Sequence, residues 1–115
     1  MSEPDPIFHD LGPADDVDEN CGRPYTVDGV RLAVVRSGGK LFALDDLCTH
    51  ANATIALGPV ENGCIACPWH FAEFDLATGK ALSGPATGAI RTHQIREREG
   101  RIEVALAPGE PEDVA

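Results

Sequence analysis

Four metal-binding side chains stand in two close pairs, Cys48-x-His50 and Cys67-x-x-His70, within the stretch CTHANATIALGPVENGCIACPWH. Two thiolates and two imidazoles could hold a single tetrahedral zinc, which is the generic use of such a set. Zinc fingers, however, usually pair Cys with Cys and His with His, whereas each segment here supplies one of each. That mixed pairing suits a dinuclear cluster with one all-Cys iron and one all-His iron, each segment contributing to both metals. A reducing cytosol disfavours two disulfides from the four cysteines, and nearby histidines favour a metal.

The elements that must position these ligands read as strands. Turn signals recur at Asp28-Gly29, Gly38-Gly39, Asn62-Gly63, Thr78-Gly79 and Glu99-Gly100, dipeptides suited to the positive φ of tight connections. VRLAVVR (30–36) and KLFAL (40–44) flank Gly38-Gly39, and IRTHQIRE (90–97) and RIEVAL (101–106) flank Glu99-Gly100, so each pair predicts a β-hairpin. Ile102, Val104 and Leu106 alternate with wetter neighbours, as a half-buried strand requires. A helix over ALDDLCTHANATIAL would set Cys48 and His50 about 200° apart, so a loop is expected there. The chain therefore reads as all-β, with ligand loops at 48–53 and 67–72 and a short strand pair between them that turns at Glu61-Asn62-Gly63.

The chain of 115 residues suits one domain with a modest core. Its net charge of −10 lies in the tails. Residues 1–20 hold seven acids and no Lys or Arg, and Glu110, Glu112 and Asp113 add three, leaving nine acids against nine bases in 21–109. Such tails are expected to be solvated and flexible, or to steer the protein toward a basic partner. A phosphate backbone would be repelled, which argues against nucleic acid. No apolar run approaches the roughly 20 residues of a membrane span and the start lacks a signal-peptide pattern, so a soluble, cytoplasmic protein is expected.

The pattern C-x-H, sixteen residues, then C-P-W-H resembles the Rieske [2Fe–2S] fingerprint. The resemblance runs from about Tyr25 to Leu106 and is to the stand-alone ferredoxins of bacterial aromatic ring-hydroxylating dioxygenase systems. It implies an antiparallel β-sandwich base domain with an inserted small cluster-binding subdomain. The organisation it suggests is a flexible acidic segment at 1–20, a single domain at 21–107 with the subdomain at about 46–85, and an acidic tail at 108–115. Cys48 and Cys67 would hold one iron as thiolates, and His50 and His70 the other as neutral imidazoles. Two ferric ions, two sulfides and two thiolates then sum to about zero, which eases reduction relative to an all-thiolate site.

The high-potential respiratory type has a Ser and a Tyr after the second histidine and two extra cysteines tying the loops. This chain has Ala72 and Phe74, and Ala53 and Trp69, at those places. The resemblance therefore implies a low potential, nearer to about −150 mV than to about +300 mV. Two further departures are Phe71 and Asn52 where Gly is common in the family. Asn tolerates a left-handed backbone, whereas Phe does not, so Phe71 bears on the path of loop two. SGPATGA (83–89) resembles the family's third, proline-containing loop, with Pro85 as its contact with the cluster.

Other reactive residues have plainer expectations. Cys64, three before Cys67, is expected to be a small buried apolar residue in the strand entering loop two. Cys21 is expected to be a free thiol, and His9 and His93 ordinary strand or surface residues. Trp69 is expected to shield the cluster by packing.

The resemblance implies an electron carrier rather than an enzyme, since the chain has no room for a catalytic iron domain. Its partners would be a flavoprotein NAD(P)H-dependent ferredoxin reductase and a terminal Rieske non-haem iron oxygenase, with the carrier a monomer. Docking is expected at the loop tips around His50 and His70, with Asp45, Asp46, Glu61 and Glu73 at the rim. The alternatives are the Rieske-like small subunit of an assimilatory nitrite reductase, a cluster-based redox sensor, or a non-redox zinc-stabilised binding module.

Overall fold

The hairpins expected around glycine turns form in the computed structural model, which describes residues 7–46, 54–67, 72–83 and 89–107. In chain order the strands are β1 His9–Pro13, β2 Cys21–Val27, β3 Val30–Ser37, β4 Lys40–Asp45, β5 Val60–Glu61, β6 Cys64–Ala66, β7 Glu73–Asp75, β8 Ala81–Ser83, β9 Thr92–Arg98 and β10 Arg101–Ala105. A single 3₁₀ turn, Ala14–Asp16, follows β1, and no α-helix occurs among the described residues. Both central residues have positive φ in the turns Asp28-Gly29, Gly38-Gly39, Asn62-Gly63 and Glu99-Gly100. Two such residues match the right-handed twist of the flanking strands, so these dipeptides fix the register of four hairpins.

The strands form two antiparallel sheets, one ordered β1-β10-β9-β4-β3-β2 and one ordered β5-β6-β7-β8. The second sheet is inserted between β4 and β9, and its strands are only two or three residues long. Strands so short do not persist alone. They are held by Ile65, Phe74 and Leu76, all fully or almost fully buried, each contributing about 1.5–3 kcal/mol.

Strand β3 joins the two layers. Leu32, Ala33, Val34 and Val35 are all fully buried, because successive side chains enter different cores. Ala33 and Val35 pack with Leu44, Ile55, Ile65, Cys67, Ala72, Phe74 and Ile90. Val34 packs with Ala14, Val17 and Ile102, and Leu32 with Val27, Ala43 and Val104. At the same seam, a Cβ on Gly22 of β2 would collide with the carbonyl oxygen of Ala56, so only glycine permits that approach.

Residues 1–20 were expected to be flexible, but His9–Pro13 form β1, which pairs with β10. Apolar residues hidden among the acids explain the difference, since Ala14 and Val17 are buried and Leu11 packs against them. Polar clamps complete the attachment. The Arg36 guanidinium donates to the carbonyls of Val17 (2.8 Å) and Ala14 (2.9 Å). The Glu19 carboxylate accepts from the N–H groups of Gly38 (2.6 Å) and Gly39 (2.9 Å). Arg101 grips Asp10 with two bonds of 2.9 and 2.7 Å.

Candidate metal centre

Of the four expected ligands, Cys67 is described; Cys48, His50 and His70 lie outside the described residues, as do Asn52, Ala53, Trp69, Phe71 and Pro85. What the structure gives is the footing on which the ligand-bearing segments stand.

Segment 47–53 leaves from the end of β4 and returns at Thr54. Asp46, 1% exposed, lies just before the segment and binds its returning limb. Its carboxylate accepts the Thr54 hydroxyl, with Oγ1 at 2.7 Å from Oδ1 and 2.6 Å from Oδ2. The same Oδ1 accepts from the N–H groups of Ile55 (2.8 Å) and Ala56 (2.9 Å). The Asp46 N–H donates to the Arg31 carbonyl (3.0 Å), and the half-exposed Arg31 guanidinium stands 3.5 Å from Oδ2.

Segment 68–71 is closed differently. The Cys67 N–H donates to the Ala72 carbonyl at 2.8 Å, extending the β6–β7 register of Ala66 with Glu73 and Ile65 with Phe74. Segment 84–88 follows β8 and returns through a bridge between Lys80 and Ala89, reinforced by Ile90 N–H to the Gly79 carbonyl at 2.7 Å. Gly79 has φ +76° and no room for a Cβ against the Ile90 carbonyl, so glycine is required on both counts.

Strand alternation decides the Cys64-x-x-Cys67 question. The two residues are an odd number apart, so β6 sends their side chains to opposite faces. Cys67 is fully buried in the core shared by the two sheets, whereas Cys64 is half-buried, with Sγ 3.8 Å from the Asn62 carbonyl. Cys64 therefore does not fill the buried apolar place expected of it. It lines an open groove of about 190 Å³ with Pro59, Glu61, Ile65, Ala66 and Glu73. Burial pushes its thiol pKa up, and the Asp75 and Glu73 charges push the same way. Cys21, Cys64 and Cys67 are free cysteines, Cys21 being exposed. Among the described cysteines, Cys67 is the one that lies beside a backbone-closed segment end, with its side chain in the core.

The acids expected at the docking rim divide. Glu61 and Glu73 are exposed, but Asp45 and Asp46 are buried. Asp45 is gripped by Arg91, with Nε 3.2 Å from Oδ2 and Nη2 3.3 Å from Oδ1, and by His93 Nε2 at 2.7 Å. His93 is a strand residue of β9, as expected, with its ring buried between Asp45 and the Ala107 backbone. Its Nδ1 accepts from the Ala107 N–H at 2.8 Å, so in the neutral ring Nε2 carries the proton and donates to Asp45. Adjacent carboxylates in the sequence read as a solvated pair; the distant partners Arg91, His93 and Thr54 that draw them inward leave no local signal.

Ala72 and Phe74 are both fully buried in the same core as Cys67. Neither carries a hydroxyl that could donate to a sulfur there.

Residues 8–94 match the Rieske [2Fe-2S] domain family, and the chain belongs to that family. The anthranilate 1,2-dioxygenase ferredoxin subunit of Burkholderia cepacia is 37% identical over 97 residues, 84% of this chain and 90% of that protein. Among solved structures, a chain in the complex of reduced oxygenase and oxidised ferredoxin of carbazole 1,9a-dioxygenase superimposes with a TM-score of 0.80. It is 30% identical, covering 88% of this chain and 94% of that one. A Mycobacterium tuberculosis chain assigned as the small subunit of an NADH-dependent nitrite reductase gives a TM-score of 0.83 over 92% of this chain, but at 20% identity it establishes the shared fold alone. No helix among the described residues is long and apolar enough to cross a membrane.

Proposed function

We propose that this chain is a one-electron carrier in which Cys48 and Cys67 hold one iron of a Rieske [2Fe–2S] cluster and His50 and His70 the other. The observation that carries the reading is Cys67, a free thiol buried at the mouth of a backbone-closed loop, in a chain that matches a dioxygenase ferredoxin subunit over most of its length. When bound, the cluster supplies a single-electron couple near the surface. The protein's own part is to keep the ligand loops in fixed register and to exclude water behind them. Ile55, Ile65, Phe74 and Ile90 form that dry wall around Cys67.

The electron donor is an NAD(P)H-dependent flavoprotein reductase and the acceptor a terminal aromatic ring-hydroxylating oxygenase. The carrier acts as a cytoplasmic monomer. Exposed Glu61 and Glu73, beside the stems of loop two, offer a negative rim for a basic partner face, and a transient complex suits rapid turnover. Ala72 and Phe74, lacking hydroxyls, support a low potential. A nitrite reductase subunit has only the shared fold behind it, and a zinc-stabilised module finds no support in the family match.

The test is the EPR spectrum of anaerobically purified, dithionite-reduced protein. A rhombic signal with average g below that of all-thiolate clusters is expected. Colourless, metal-loaded protein without a signal would return the site to zinc.

A further inference from the structure

Asp46 is a buried carboxylate that the electron-carrier reading does not use. Its side chain has no exposure, and burying a carboxylate is costly unless hydrogen bonds compensate. Three donors do so, the Thr54 hydroxyl and the Ile55 and Ala56 amides. All three lie on the returning limb of segment 47–53, while Asp46 itself ends the outgoing limb. One side chain therefore ties both limbs of the segment that carries Cys48 and His50. The anchorage continues into the rest of the site. Ile55 and Ala56 pack in the same core as Cys67, and the Ala56 carbonyl abuts Gly22 of β2. Among the described residues, the Asp46 carboxylate is thus a direct link between the outgoing limb and the Thr54–Ala56 limb that packs with Cys67.

From this geometry we infer that Asp46 is the positioning residue of the redox centre, fixing both limbs of the first ligand loop and placing a negative charge at its base. The inference rests on the ligand assignment above. Charge and geometry can be separated. In Asp46→Asn the amide oxygen still accepts from Ile55 and Ala56, and the Thr54 hydroxyl can turn to accept from the new NH₂ group. The loop keeps its clamp and loses the charge. In Asp46→Ala the clamp goes as well. Thr54→Val removes one bond, leaving the charge and both amide bonds in place.

A nearby negative charge opposes uptake of an electron. Asp46→Asn should therefore retain iron and acid-labile sulfide at the wild-type ratio and shift the midpoint potential upward. Asp46→Ala should lose a large share of bound iron, and its Ile55 and Ala56 amides should exchange faster with deuterium. Thr54→Val should keep the cluster with its midpoint unmoved. An Asp46→Asn midpoint equal to wild type would overturn the electrostatic role. Full iron content with unchanged amide exchange in Asp46→Ala would overturn the clamp. If Asp46→Ala does not fold, amide exchange in Asp46→Asn decides: retained protection at Ile55 and Ala56 supports the clamp, and loss of it alongside full iron overturns it. Absence of the rhombic signal from wild type would sink the ligand assignment instead, and the exchange rates would still report on the clamp.

Discussion

The stems of the two segments expected to carry ligands are closed by different chemistry. Loop two is shut by its own backbone, Cys67 N–H to the Ala72 carbonyl, as the next rung of the β6–β7 ladder. The stem of segment 47–53 is bridged by a side chain, the Asp46 carboxylate accepting from the Ile55 and Ala56 N–H groups. A backbone closure survives most substitutions, because every residue but proline carries the donor and every residue the acceptor. A carboxylate closure depends on one codon. Of the two described stems, the first is therefore the one that a single substitution can open, at Asp46.

Contrasting Cys64 in β6 with Cys67 just beyond its end gives the largest effect. Cys67→Ser should abolish the reduced EPR signal and electron delivery, whereas Cys64→Ser, on the opposite face, should leave both intact. A retained signal in Cys67→Ser would show that loop two is closed around something other than a ligand. Next comes the clamp itself. Asp46→Ala strands two buried amides, at about 1–3 kcal/mol for each unsatisfied group, so chemical denaturation should show a loss of roughly 2–6 kcal/mol. A loss below 1 kcal/mol would put loop one on the same robust footing as loop two.

A smaller effect is expected within the loop-two stem. Phe74→Tyr introduces a hydroxyl beside the core that buries Cys67; donation toward a sulfur should raise the midpoint potential in a redox titration. An unmoved midpoint would mean that this stem tunes nothing. The smallest effect belongs to the surface counterpart of the Asp46 clamp, the exposed pair Asp10–Arg101 that fastens β1 to β10. The Arg101 hydrogen bond, helped by its charge, holds the Asp10 carboxyl below its usual 3.8. Such a group stabilises the fold above its unfolded value and loses that contribution as pH falls through the folded value. The stability gap between wild type and Asp10→Asn should therefore be present at neutral pH and close as pH drops below 3.8, as thermal melts across that range can check.

Legibility followed locality. The hairpins could be read because each turn is written in two adjacent residues, such as Gly38-Gly39, whose backbone preference determines the outcome. The family was equally legible, since the four residues that carry the resemblance fall within 23 positions (48–70). Strand β1 was not, because its anchors are remote: Asp10 finds Arg101 91 residues away, and Arg36 reaches back 22 residues to Ala14. Acid density suggested solvation there, while Leu11, Ala14 and Val17 were too sparse to show a period. Asp45 and Asp46 failed for the same reason, as their partners are drawn from Arg91 and His93 and from Thr54 to Ala56.

The two-sided burial of β3 bears on portability. Residues 60–83 look like a cassette, a small sheet inserted in a loop, which could be lifted onto another scaffold. Part of its wall, however, belongs to Ala33 and Val35 on one side of β3 and to Leu44 on β4, strands whose other sides complete the base. A graft that took the cassette alone would open the ligand site to water from behind. The smallest unit that carries its own core is therefore the β3–β4 hairpin together with everything up to Ile90, and a recipient must accept a strand that is apolar on both faces.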